Sequence, residues 1–158
     1  MDREMLLKQW DEFWMSGLWA APMSRAVEDL TPKQAAWKPS VVAEGADHSG
    51  GRHSIWQIIN HMLFWREVAL RRTMGGPGPS EAEVASRNWD APEGPLEVTE
   101  ANWSRTAVQL ADSHQQMRGA IADPSVPLDR LQYLIGHDSY HLGQIMMLRG
   151  MMGMKAID

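Results

Sequence analysis

Apolar residues recur at helical spacing along four stretches of the chain, and no stretch shows the alternation of a half-buried strand. The first stretch runs from about residue 3 to residue 30. Because proline lacks the backbone donor and clashes with the preceding turn, Pro22 should kink or break this helix near its middle. The run Thr31-Pro32-Lys33-Gln34 then predicts a short capped turn, with proline at the first helical position.

The second helix is predicted to begin after Ser54, which forms a capping-box pattern with Gln57 three residues later. Its apolar face carries Ile58 and Met62, and the run Gly-Gly-Pro-Gly-Pro at residues 75–79 predicts where it ends. We therefore predict one long amphipathic helix between these two signals.

A connection of about twenty residues separates this helix from the next apolar pattern, whereas links between antiparallel helices usually have about 2–8 residues. Such a length can cross a bundle and bring the third helix parallel to the second. The third helix should start near Thr99 and end at Asp123-Pro124, and the fourth should run from about Leu128 to Met151. These patterns predict an all-α protein, a single four-helix bundle with a long crossover between helices 2 and 3, in which residues 1–158 form one domain.

Charge and composition narrow the classes of function. The formal net charge is −5 and the basic residues are scattered, so we expect no nucleic-acid partner, because phosphate binding needs a concentrated positive patch. No apolar run approaches the roughly 20 residues of a membrane span, and the charged start Met1-Asp2-Arg3-Glu4 does not resemble a signal peptide. We therefore expect a cytoplasmic protein with no membrane partner. The lack of cysteine excludes disulfides, thiolate metal sites and a cysteine nucleophile.

Two histidines four residues apart, His137 and His141, are the most informative feature of the chain. On a helix they lie on one face, one turn above the other, where two imidazoles can share a metal ion. Leu134, Ile145 and Leu148 share that stripe, so the pair should point inward. A buried imidazole pair needs partners, and the pair alone leaves open whether the partner is a metal.

A third histidine lies on an inward stripe of the second helix, where His61 shares its face with Ile58 and Val68. Three neutral imidazoles suit Zn²⁺ or Ni²⁺ and leave coordination positions open for water or substrate. We therefore predict His61, His137 and His141 as candidate ligands of one divalent metal ion. The alternative is a set of core histidines satisfied without metal.

The remaining histidines are predicted to be solvent-exposed or structural, and they are His48, His53 and His114. Because the residue after His137 is Asp138, the run is not the H-E-x-x-H of a zincin protease, and that class is disfavoured.

Three polar residues are candidates for supporting a ligand imidazole from behind, and each has an ordinary structural role as its alternative: Asp138, Asn60 and Gln144. Glu67 lies on a different helical face from His61 and is predicted to be a solvated charge.

The chain resembles the DinB/YfiT-like superfamily over nearly its whole length. The resemblance is carried by Ser-Ile-Trp-Gln-Ile-Ile-Asn-His at residues 54–61, by Asn88-Trp89 in the long connection, and by His137-x3-His141-Leu142-Gly143-Gln144-Ile145. It implies a four-helix bundle in up-down-down-up order, often a homodimer. It also implies a metal held by three histidines, which here are His61, His137 and His141.

Activities in the superfamily are diverse. The resemblance implies three candidate activities: S-transfer with a thiol such as bacillithiol or mycothiol, isomerisation that depends on such a thiol, and metal-dependent hydrolysis. Some relatives carry no demonstrated activity. The resemblance therefore narrows the site more than it narrows the reaction.

We predict a metal-dependent enzyme in which Zn²⁺ or Ni²⁺ activates a low-molecular-weight thiol for transfer to a small-molecule electrophile, held in a pocket lined by Trp and Met. A thiolate needs no general base when it attacks, and no glutamate lies between the paired histidines. The alternatives are a metal-dependent hydrolase, a non-catalytic metal-binding stress-response module, and a structural bundle without metal.

Overall fold

Helices make up all the regular secondary structure in the described part of the chain, which covers residues 2–40, 52–92, 94 and 96–157 of this computed structural model. His48 and most of the polar loop predicted between residues 40 and 53 lie outside these ranges. In chain order the helices are α1 Arg3–Met15, α2 Met23–Glu28, α3 Pro32–Ala36, α4 Ile55–Thr73, α5 Glu81–Arg87, α6 Glu100–Ala122 and α7 Leu134–Met151, with a 3₁₀ turn Leu131–Tyr133 before α7. The all-α prediction is confirmed for these residues.

The four longest helices contact one another in a closed ring. Helix α4 packs against α6 and α7, and α1 packs against the same two helices. The ring encloses fully buried apolar side chains such as Trp10, Ile59, Leu110 and Ile145, and burial of each stabilises the fold by roughly 1.5–3 kcal/mol or more. Within the described ranges, no helix has both the length and the apolar character that a membrane crossing requires.

The first predicted helix is broken earlier than Pro22. Helix α1 ends at Met15, and Gly17 adopts a φ of +78°. A Cβ atom at Gly17 would lie 1.8 Å from the carbonyl oxygen of Ala20, so only glycine fits this turn. Pro22 instead serves as the N-cap of α2, and the two signals together divide the first apolar stretch.

Both local capping signals are confirmed. Thr31 and Gln34 form a capping box at the start of α3, and Ser54 and Gln57 form another at the start of α4. Since α4 begins where the capping box places it, the register of its inward face is the one that the sequence indicates.

The long connection contains a helix that the sequence analysis did not predict. Ser80 caps α5 by accepting a hydrogen bond from the backbone of Glu83. The Glu83 carboxylate then accepts two hydrogen bonds from Arg71, at 3.0 and 3.1 Å, which join α5 to the end of α4. No residue of α5 is buried, so polar contacts hold it in place rather than the core.

Candidate metal centre

Helices α4 and α7 bring the three predicted histidines together. The candidate ligand nitrogens of His61, His137 and His141 all lie within 4.8 Å of one another, and the Nε2 atoms of His61 and His137 are 3.2 Å apart. His61 and His141 are buried, whereas the side chain of His137 is 30% exposed. This cluster is compatible with a divalent metal site, and metal binding itself stays a prediction.

The ring of His61 is held from behind by Asn88. The Oδ1 atom of Asn88 lies 2.8 Å from Nδ1 of His61, and it also accepts a hydrogen bond of 2.8 Å from Nε1 of Trp65. Because an indole nitrogen only donates, the oxygen of Asn88 must face both rings. The proton of His61 therefore lies on Nδ1, which leaves the Nε2 lone pair directed at the other histidines.

The same arrangement recurs at His141. Its Nδ1 lies 2.7 Å from Oε1 of Gln144, and the amide nitrogen of Gln144 donates to the hydroxyl of Tyr140 at 3.2 Å. That second contact orients the amide oxygen of Gln144 toward His141. Gln144 therefore supports His141 from behind, which is one of the two roles predicted for it.

A carboxylate supports the third imidazole. Oδ1 of Asp138 accepts a hydrogen bond of 2.9 Å from Nδ1 of His137, and Oδ2 accepts one of 2.7 Å from Nε of Arg66. Both side chains of the ion pair are buried, with exposures of 1% and 0%. Burial alone would raise the pKa of Asp138, but the Arg66 guanidinium and the His137 ring hold that pKa below its usual value.

In all three candidate ligands Nε2 is thus the unprotonated nitrogen, whose lone pair can bind a metal ion. An oxygen that can only accept, or that is oriented to accept, faces each Nδ1, and this is the outer partner that metal-ligating histidines usually have. Burial, together with the neighbouring imidazoles, lowers the pKa of His61 to about 4. Burial also lowers the pKa of His141. The rings of His61 and His141 are therefore mainly neutral near pH 7, which is the form that binds metal.

A short segment of the long connection, Asn88–Asp90, is fastened to α4. Besides the two contacts of Asn88, the amide nitrogen of Gln57 donates to the carbonyl of Trp89 at 3.0 Å, and that of Asn60 donates to the carbonyl of Asp90 at 2.7 Å. Asn60 therefore positions this segment, which is the structural role predicted as its alternative. We call residues 88–90 the strap.

Trp89 of the strap forms one side of the cluster. Its ring stacks on His61 with centroids 3.8 Å apart, and the ring of His53 stacks on it with centroids 3.7 Å apart. His53, predicted as exposed or structural, is therefore partly buried behind Trp89, on the face of the indole away from His61. The sequence signal for this role was the position of His53 directly before α4.

Two other predicted residues lie away from the cluster. Glu67 is half-exposed and pairs with Arg87 at 2.6 Å, in agreement with a solvated charge. His114 is buried, and its ring stacks between Trp10 and Trp14 with centroid distances of 5.4 and 4.7 Å. Of the two roles predicted for His114, the structure favours the structural one.

A cavity of about 600 Å³ opens beside the histidines between α4 and the start of α7. We call it the histidine groove, and its lining consists of His61, Trp65, Val68, Ala69, Arg72, Asp129, Arg130, Tyr133, Leu134, His137, Tyr140 and His141. The predicted Trp and Met lining is correct only in part, because the described lining includes Trp65 and two tyrosines but no methionine. A small molecule with an apolar body can reach the cluster through this groove.

Fold and site together define an all-helical protein with a buried three-histidine cluster that could hold a divalent metal ion. A model of the DinB superfamily matches residues 20–145, a range that includes all three histidines. The chain belongs to the DinB superfamily. Comparison with curated proteins and comparison with solved structures each gave no match.

Proposed function

We propose that His61, His137 and His141 bind one divalent metal ion, Zn²⁺ or Ni²⁺, through their Nε2 atoms, and that the protein is a metal-dependent enzyme. The observation that carries the proposal is the oxygen acceptor at each Nδ1, which leaves three Nε2 lone pairs facing one another. Three protein ligands leave open positions for a further ligand, as catalytic sites do and closed structural sites do not.

The proposed reaction is transfer of a low-molecular-weight thiol to a small electrophile. When bound, a divalent ion lowers the pKa of a thiol or water molecule that it coordinates, which supplies a nucleophile near neutral pH. The thiol sulfur forms a bond to the electrophilic carbon, the leaving group departs with the bonding electron pair, and the thiol proton passes to solvent. Trp65 and Tyr140 form walls of the histidine groove that would hold the electrophile beside the cluster.

The thiol is favoured over water because the cluster lacks a spare carboxylate. Among the described acidic residues none joins the three histidines within ligand distance, and Asp138 is already engaged by His137 and Arg66. A carboxylate base would assist loss of the proton from an attacking water molecule, whereas a thiolate needs no base when it attacks. A metal-dependent hydrolase is the second candidate, and a non-catalytic metal-binding stress-response module is the third.

The first experiment measures the metal. Protein without an affinity tag is purified and its metal content determined by elemental analysis, before and after incubation with Zn²⁺ or Ni²⁺. We expect about one ion per chain. Less than a tenth of an ion per chain, with no uptake, would contradict both the enzyme and the binding module.

The second experiment measures the reaction. Loaded protein is assayed with a panel of thiols and a haloarene electrophile, and in parallel with ester and amide substrates. Turnover with a thiol supports the transferase, turnover with water alone supports the hydrolase, and stoichiometric metal with no turnover supports the module. His141→Ala is the matched inactive variant, since it removes one of three ligands.

The arrangement of helices and chains is also a proposal. We infer an up-down-down-up four-helix bundle, supported by the closed ring of contacts among α1, α4, α6 and α7. We also infer a homodimer, for which the exposed side chains Tyr140, Met147 and Met151 on α7 provide an uncharged surface. Light scattering coupled to gel filtration tests the dimer, and a monomer at micromolar concentration contradicts it.

A further inference from the structure

The histidine groove differs in chemistry between its two ends. At one end lie the imidazoles, and the middle is walled by Trp65, Tyr133 and Leu134. Arg72 and Arg130 also line the groove, and both lie away from the histidines along their segments, Arg72 about three turns after His61 on α4 and Arg130 before the start of α7. A ligand that spans the groove therefore meets a candidate metal site, then an apolar wall, then positive charge.

The two arginines differ from most others in the described part of the chain. Arg66, Arg71, Arg87, Arg118 and Arg149 each lie within 4.0 Å of a carboxylate. Neither the side chain of Arg72 nor that of Arg130 has a hydrogen bond or ion pair with any described residue. The contrast is sharpest in the doublet Arg71-Arg72, where Arg71 is neutralised by Glu83 and its neighbour is left with its donors free.

The spacing along α4 sets the length of a ligand. His61, Trp65, Val68 and Arg72 follow one another along the face that lines the groove. At a rise of about 1.5 Å per residue, Arg72 lies about 16 Å beyond His61 along the helix axis. Arg130 directly precedes the 3₁₀ turn before α7, and this turn contacts α4. The groove thus suits an extended molecule better than a compact one.

We propose that the histidine groove binds an extended, largely apolar molecule that carries a terminal anionic oxygen group, with its reactive end at the three histidines and its anionic end at Arg72 and Arg130. This assigns a substrate class to the proposed transferase, and it rests on that proposal in placing the reactive end. Guanidinium groups pair with carboxylate or phosphate through charge-assisted, bidentate hydrogen bonds. The net charge of the chain is negative, whereas these two side chains place unpaired positive charge at the groove.

One acidic residue in the groove should weaken the binding of an anion, and its removal should therefore strengthen that binding. Asp129 lines the same end of the groove, and its carboxylate would repel an anionic ligand. The proposal therefore predicts opposite effects at neighbouring positions, since removal of a guanidinium weakens binding and removal of the carboxylate strengthens it.

The test measures binding by titration calorimetry in chelator-treated, metal-free protein. The probes are 6-phenylhexanoate, 6-phenylhexan-1-ol and the phosphate monoester of that alcohol, which share one apolar body. We expect the acid to bind about 10-fold more tightly than the alcohol, and Arg72→Gln or Arg130→Gln to weaken the acid by about 3- to 5-fold while leaving the alcohol unchanged. Asp129→Asn should strengthen the acid by about 2- to 3-fold.

Arg105→Gln is the matched control. Arg105 is an exposed arginine on α6 outside this groove, and its side chain makes no hydrogen bond or ion pair with the described residues. It should leave binding of all three probes unchanged. The phosphate monoester separates the two sources of anion, and tighter binding than the alcohol by either anion supports the proposal. The proposal would be overturned if neither anion bound more tightly than the alcohol, if the arginine variants weakened anion and alcohol equally, or if no probe bound at millimolar concentration. Because the series contains no metal and no turnover, failure of the proposed function leaves its result unchanged.

Discussion

At the scale of single residues, the Arg66–Asp138 pair holds the imidazole of one candidate ligand, His137, from inside the protein. Both charges are almost completely removed from water, and their 2.7 Å hydrogen bond is the only ion pair in the described chain with both side chains below 2% exposure. Arg66 also lies 5.0 Å from the centre of the Trp10 ring. Each charge is therefore tolerated because of the other and of the ring beside it.

Removal of one member of this pair should be more damaging than removal of both. We expect Arg66→Met to lower the free energy of unfolding by about 3–5 kcal/mol, because it leaves Asp138 buried without a countercharge. In the double variant Arg66→Met with Asp138→Asn, part of that loss should be recovered. Urea denaturation of the metal-free proteins measures the difference, and additive losses would contradict the coupling.

The buried ring of His114 makes stability depend on pH. Burial, aided by the charge of Arg66, lowers its pKa from 6.5 to about 4. Between these pH values the unfolded chain binds a proton that the folded chain does not, so stability is full above about pH 6.5 and falls as the pH is lowered toward 4. The shift corresponds to a loss on the order of 3 kcal/mol.

His61 also has a lowered pKa and contributes to the same pH dependence. His114→Gln removes only the contribution of His114, so the difference between variant and wild type measures it. We expect the free energy of unfolding of the variant to fall less steeply than that of the wild type between pH 6.5 and 4. The slope is compared rather than the absolute stability, so a general destabilisation by the substitution does not obscure the result. Identical slopes would show that His114 does not titrate in this range.

Some of these single-residue features could be predicted from the sequence and others could not. The spacing of His137 and His141, with His61 on a second apolar face, was sufficient to select the cluster. The polar neighbours of His114 obscured its burial, although Leu110, Met117 and Ile121 recur on the same stripe and are buried. The partner of Asp138 could not be read from the sequence, because Arg66 lies 72 residues earlier and only the packing of α4 on α7 joins them.

At the scale of elements, the strap ties the long connection to the cluster. Its contacts join residues 23 to 32 positions apart, from side chains of α4 to Asn88, Trp89 and Asp90. The connection is therefore a structural part of the site and not only a link between helices. Nothing local in the sequence specifies such contacts, whereas the capping boxes of α3 and α4 are local and were predicted.

Asn88→Ala should weaken metal binding without removing a ligand. The substitution removes the acceptor shared by His61 and Trp65, and loss of such an outer partner costs about 10- to 100-fold in metal affinity. Competition with a chromophoric chelator measures the Zn²⁺ affinity. Asn88→Asp retains an acceptor oxygen and should lie closer to the wild type.

The control for this prediction is Asn102→Ala. The side chain of Asn102, on α6, donates to the carbonyl of Glu97 and makes no hydrogen bond to a residue of the cluster. We expect this variant to bind Zn²⁺ like the wild type. An Asn88→Ala variant within two-fold of the wild type would mean that the strap does not orient His61.

At the scale of the whole molecule, a metal bridging α4 and α7 would couple ligand binding to global stability. The three candidate ligands come from two helices that are far apart in the chain, so the unfolded chain has no preformed site. At about 1,000 times the dissociation constant, bound metal stabilises the folded state by about 4 kcal/mol. For a chain of this size, that corresponds to a rise of about 10 °C in the melting temperature.

Thermal unfolding with and without chelator tests this coupling. Chelation should lower the melting temperature of the wild type and leave His141→Ala unchanged, since the variant lacks one of three ligands. A shift of equal size in both proteins would place the stabilising ion elsewhere.

The all-helical class and the meeting of the three histidines could be predicted at this scale, but α5 and the groove arise from contacts between distant segments.

The buried ion pair also limits how this chain can change. A single replacement at position 66 or 138 leaves one charge isolated in the core, and the resulting penalty is a large part of the roughly 5–15 kcal/mol by which a domain is stable. Mutational paths that alter the pair one step at a time therefore pass through a poorly folded intermediate. We expect the two positions to vary together among related chains, and an alignment in which they change independently would show that other contacts can take over the support of His137.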